Sequence, residues 1–157
     1  MEESEDIIEY SEKLLEEGNF EKIITLLKDI KLPEAYLLRA KALEGLGMLD
    51  KAIEDIEEGL KKFPYSHYLY YELSLIRLRK GDLEGALNDI ERAISIVPFS
   101  FEYNKLKGKI LFMLEDYEEA YNVLGYVIKL KADDVESRIL RSECFYRIGR
   151  YLDALAE

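Results

Sequence analysis

Apolar and charged positions follow one another along this chain with a helical period. Between 49 and 63, Ala52, Ile53, Ile56, Leu60 and Phe63 share one face, and Glu54, Asp55, Glu57, Glu58, Lys61 and Lys62 fill the other. The breaks are as regular as the helices. Gly81-Asp82-Leu83 ends one helix and starts another, because glycine accepts the left-handed C-cap conformation and Asp82 can receive the first free N–H groups. Asn19 and Asp116 stand in equivalent places, and Asp116 with Glu119 reads as a capping box. Pro64 and Pro98 close their helices, and Ser66, Ser100 and Asp134 stand where the next N-caps belong. The pattern predicts helices over 4–17, 20–30, 33–46, 49–63, 67–80, 83–97, 101–114, 117–131, 135–148 and 151–157, with no strand.

The breaks keep a fixed period. Ala52, Ala86, Ala120 and Ala154 are 34 residues apart. Gly47, Gly81 and Gly149 lie on the same ladder, with Glu115 at the missing rung; Leu49, Leu83, Tyr117 and Tyr151 keep step, as do the small residues Ala40, Ser74, Gly108 and Ser142. An earlier unit, marked by Gly18-Asn19-Phe20, is five residues shorter, and the missing piece is expected at the end of its second helix. A single repeat domain is therefore expected over 1–157, with units near 4–32, 33–66, 67–100, 101–134 and 135–157. Small residues should let the two helices of a hairpin approach, and Leu43, Ile56, Leu111 and Leu124 should pack between hairpins, since one hairpin cannot bury its apolar face alone.

In the third unit, Tyr70, Leu73, Ser74, Ala86, Ile90, Ala93 and Pro98 follow an aromatic, leucine, small, alanine, large, alanine, proline order. This resembles the tetratricopeptide repeat family across essentially the whole chain. The departures are the absence of tryptophan, Ala132 in place of the fourth unit's proline, and Arg39, Lys107 and Arg141 at the leucine place, each preceded by a leucine. The resemblance implies an all-α fold, a right-handed superhelical solenoid of about four and a half stacked antiparallel helix pairs. It also implies that the first helices line a concave groove. There Tyr68, Tyr71, Leu75 and Leu78 would be joined by Lys105, Lys109 and Phe112, then by Ile139, Glu143 and Tyr146. Aromatic anchors with a few charges suit a peptide or helix as ligand. The two-carboxylate clamp of chaperone-tail binders does not fit: the first unit offers Ile8 and Glu12 where lysine and asparagine would stand, and Leu140 falls where a later register needs asparagine.

Composition narrows the chemistry. Lys+Arg 22 against Asp+Glu 33 gives a net charge of −11, which speaks against nucleic acid or an anionic membrane as partner. The acidity is concentrated at the start: residues 1–30 hold ten acids and three bases, and read as a solubilising cap. One cysteine and one histidine leave no basis for a disulfide framework or a metal centre, and no cofactor motif is present. Cys144 reads as a small packing residue, and His67 as a surface or interhelical one. Uncharged runs stop at nine residues, as at 93–101, and the N-terminus lacks the basic start and apolar run of a secretory signal, so a cytoplasmic location is expected. Absent glutamine and a single threonine suggest a thermophilic source. The expected function is a non-catalytic scaffold or adaptor; the alternative is a regulatory module of a longer protein. Phe145, Ile148, Tyr151, Leu152 and Leu155 threaten to form an exposed apolar end, through which the chain would self-associate or meet further repeats.

Overall fold

The computed structural model describes residues 2–156. Among them are nine α-helices and no strand: α1 (Glu2–Glu16), α2 (Phe20–Leu27), α3 (Pro33–Gly45), α4 (Leu49–Lys62), α5 (His67–Lys80), α6 (Leu83–Ile96), α7 (Phe101–Met113), α8 (Tyr117–Leu130) and α9 (Val135–Ala156). They form two compact units, α1–α5 ending at Lys80 and α6–α9 beginning at Gly81. The boundary falls between the two helices of the third 34-residue unit.

The turns follow the expected chemistry with instructive exceptions. Gly18, Gly47 and Gly81 have φ of 76°, 75° and 82°, and Glu115, at the rung without glycine, adopts 63°. Asp82, Ser100, Asp116 and Asp134 accept from the backbone N–H of Gly85, Tyr103, Glu119 and Ser137 at 2.9, 3.3, 3.3 and 3.0 Å. Asn19 does not cap: its side-chain amide donates to Glu17. The capping box is half made, because the Glu119 carboxylate turns to Lys107, 3.7 Å away.

In the first unit, Tyr36, Leu43, Ile56, Leu69, Leu73 and Ile76 form one buried cluster around Ala40 and Ala52. A second cluster joins Leu14, Ile23, Leu27, Ala35 and Leu38. In the second unit, Leu111, Ala120, Leu124 and Cys144 pack together, so Cys144 is a core residue as expected. The small-residue rule holds at Gly108, where an added Cβ would meet Leu124 Cδ2 at 2.7 Å.

The shortened first unit loses the end of α2, which stops at Leu27 rather than at the expected 30. Arg39 closes the gap. Its guanidinium donates to the carbonyls of Leu27 and Ile30 at 2.6 and 3.1 Å, pairs with both carboxylate oxygens of Asp55 at 2.9 and 3.0 Å, and lies over the Tyr36 ring. Burial works against the charge, but Asp55 outweighs it and holds the guanidinium above its ordinary pKa. Helix α2 thus ends on a side chain rather than on its own next turn.

The far end departs from expectation more strongly. Instead of helices over 135–148 and 151–157, α9 runs unbroken for 22 residues through Gly149. Gly149 does not take the left-handed conformation of the other turn glycines, and an added Cβ there would meet nothing within 4 Å. With no left-handed cap to break the hydrogen-bond ladder, the helix continues, and Phe145, Tyr151, Leu152 and Leu155 stay 58–68% exposed.

Candidate functional site

In the first unit, Tyr68, Tyr71, Leu75 and Leu78 share one face of α5 through their i, i+3, i+7, i+10 spacing, and all four are half-buried. The Tyr68 hydroxyl donates to the Glu34 carboxylate of α3 at 3.3 Å; burial, then Glu34, raises its pKa. His67, the first residue of α5, is half-buried and sets its ring edge-on to its chain neighbour Tyr68 at 5.5 Å. Where the end of α3 meets the middle of α5, two acids come together. The Glu44 side chain is 7% exposed and Glu72 is buried; Glu44 pairs with Arg79 at 2.9 Å. Burial and the Glu72 carboxyl push Glu44 up to about 8.

In the second unit, Lys105, Lys109 and Phe112 share a face of α7. They converge on the start of α9. Lys105 pairs with Asp134 and Glu136, both at 2.9 Å, and Lys109 with Glu136 at 2.7 Å. Hydrogen bonds from Ser137 and Lys105 hold Asp134 down to about 2, and Glu136 raises the Lys105 pKa. These lysines are therefore neutralised by their own chain. Beside them lies an apolar hollow of about 410 Å³, lined by Lys109, Phe112, Met113, Val135, Glu136, Ile139 and Leu140. Val135, Ile139 and Met113 are 66%, 63% and 50% exposed. Tyr146 lies further along α9, exposed, with Arg150 stacked over its ring.

The structure thus gathers Lys109, Phe112 and Ile139 around one hollow and places Tyr146 outside it. Met113 and Val135 line the hollow outside the expected groove set, and so does Leu140, which the sequence brings in only as a mismatch to the clamp register. Their signal was available: each falls within four residues of an expected position on its helix. The pairing of both lysines is not legible from spacing, where Asp134 reads only as a cap.

Among the described residues no cluster of His, Cys, Asp and Glu could hold a metal ion, and no helix is long and apolar enough to cross a membrane.

Comparison with known proteins bears on the fold. Residues 33–76 and 67–98 match two models, each described as tetratricopeptide repeat. A TPR repeat-containing protein of Pseudomonas aeruginosa is 29% identical over 122 residues, 77% of this chain and 21% of that protein. The chain spans about a fifth to a quarter of the length of the curated relatives it matches. The solved structure of MamA from AMB-1 superposes with a TM-score of 0.79 at 17% identity, covering 96% of this chain and 92% of that one. The first TPR of Spaghetti (RPAP3), bound to the HSP90 peptide SRMEEVD, superposes with a TM-score of 0.64 at 19% identity, covering 71% and 90%. At these identities the structural likeness speaks for the fold. The 34-residue ladder, the helix hairpins and the two family models agree: residues 33–98 are tetratricopeptide repeats, and the described helices share the fold of solved tetratricopeptide repeat structures.

Proposed function

We propose that this chain is a non-catalytic protein-interaction module, cytoplasmic in setting, that holds a peptide or helix on the solvent-facing sides of its first helices. The observation that carries this reading is the hollow beside α7 and α9, whose lining is largely apolar and open to solvent. Such a surface gives a ligand side chain a place to lose water, and the Phe112 ring in its wall provides contact area at low entropic cost. The site residues are Tyr68, Tyr71, Leu75 and Leu78 in the first unit, and Lys105, Lys109, Phe112 and Tyr146 in the second. The RPAP3 repeat domain, which shares the fold, binds a peptide, and that supports a peptide as the ligand class here.

The charges favour an apolar peptide over an acidic tail. A carboxylate arriving at Lys105 or Lys109 would have to displace Asp134 or Glu136. The test is selection of phage-displayed peptides on the 157-residue chain, followed by calorimetry and backbone resonance mapping, with SRMEEVD as the acidic comparison. Selected apolar peptides should shift resonances of α7 and α9 and lose binding in Ile139→Asp, and Tyr71→Ala should weaken any peptide that reaches α5 by roughly 1–2 kcal/mol. A selected peptide indifferent to Ile139→Asp, or tighter binding of SRMEEVD, refutes the assignment. The second reading, a docking module of a longer protein, is favoured by the small share of its curated relatives that the chain spans.

A further inference from the structure

The last third of α9 presents a surface unrelated to the hollow. Along this helix Cys144, Ile148, Tyr151 and Leu155 form a row spaced four, three and four residues apart, the spacing of a helix-pairing seam, and the buried Ser137 lies on the same line seven residues before Cys144. Its first half is covered by α8. Ile148 and Tyr151 of its second half, with Arg147 and Leu152 beside them, form one wall of a notch of about 590 Å³, whose other wall is the α7–α8 turn with Glu115, Asp116 and Glu118.

We propose that residues 145–156 pair antiparallel with the same segment of a second copy of this chain, each helix end lying in the other's notch. Two features select a second copy as the occupant. The first is area. Phe145, Tyr151, Leu152 and Leu155 are 58–68% exposed. Their uncovered surface is on the order of 500 Å² per copy, so a symmetric pair reaches the ~1,000 Å² that a specific interface needs. The second is charge. The notch sets three carboxylates against one cation, Arg147, beside its apolar floor, a net charge of about −2, and the segment that would enter it carries Arg150 on its exposed flank. A surface that holds both the apolar row and its charge complement is self-complementary, as a twofold interface must be.

Sedimentation velocity on the 157-residue chain between ~5 and ~200 µM tests the pairing. A concentration-dependent dimer is expected. Leu152→Lys should weaken it at least ~30-fold, and Arg150→Glu by about 5–10-fold, with Glu118→Lys restoring part of the loss in the Arg150→Glu background. These side chains are exposed in the single copy, so helical content should not change. A monomer at ~200 µM overturns the proposal, and so does a dimer indifferent to Leu152→Lys.

Discussion

Raising the pH should weaken the first unit, and the cause is the meeting of Glu44 and Glu72. Both carboxyls are largely shut off from water on neighbouring helices, with Arg79 and Lys41 as the opposing charges on α5 and α3. Two buried carboxylates side by side resist joint ionisation, so Glu44 keeps its proton to about pH 8 rather than 4.5. In the unfolded chain it gives up that proton near its ordinary value. Between the two values the folded state binds the extra proton, and stability falls as pH rises. The contribution is complete below about pH 4.5 and lost as pH rises through about 8.

The full shift would correspond to about 5 kcal/mol at about 1.4 kcal/mol per pKa unit. Arg79 is largely exposed and free to follow the ionised Glu44, so a loss of about 2–3 kcal/mol between pH 5 and pH 9 is the better expectation. Urea unfolding followed by circular dichroism at pH 5, 7 and 9 measures it, with carbon-detected titration of the Glu44 carboxyl as the direct check. Glu44→Gln keeps a hydrogen-bonding group without the titration, and should remove most of the difference between the two pH values. An unchanged pH dependence in Glu44→Gln, or a Glu44 titration near its ordinary value, refutes the reasoning.

Two further outcomes follow from the backbone and the buried ion pair. Arg39→Met should cost about 3–5 kcal/mol in urea unfolding, because it strands Asp55 and the carbonyls of Leu27 and Ile30, and adding Asp55→Leu should recover part of the loss. Glu115→Gly should raise the thermal midpoint, with a gain of about 0.5–1 kcal/mol, since Glu115 holds a left-handed conformation that its Cβ disfavours.

The sequence made the hairpins legible because each device that defines them is local. A glycine in the left-handed region, an aspartate three residues before the N–H it caps, and an apolar stripe at helical spacing all lie within one turn of one another. Asn19 makes no cap, and its amide nitrogen is instead drawn to the Glu17 carboxylate outside the helix. The break expected at Gly149 rests on the ladder alone, and α9 runs through it. The ladder records where a turn recurs, but the turn forms only if the chain takes the left-handed conformation there. Lys105 and Lys109 looked like ligand-binding groups, yet their charges are met by Asp134 and Glu136, 27 to 31 residues away. That distance is one hairpin on, where helix periodicity gives no direct information.

The same limit bears on the positions that depart from the family pattern. Arg39, Leu73, Lys107 and Arg141 occupy one rung, 34 residues apart. Leu73 sits in an apolar cluster with Ile56 of the preceding helix. The three cations reach the helix before them by another route: Arg39 to the end of α2, Lys107 to Glu91 of α6 at 3.3 Å, and Arg141 to the Tyr121 carbonyl of α8 at 3.2 Å, with its guanidinium over the Tyr121 ring. A leucine at this rung joins hairpins through shape, and tolerates any apolar neighbour of similar size. A cation joins them through a stated acceptor, and fixes which preceding helix can stand there. The departures from leucine are thus the places where one repeat recognises its particular neighbour, and exchanging repeats within this chain should be tolerated least at the α2–α3 junction, where Arg39 replaces an entire missing turn.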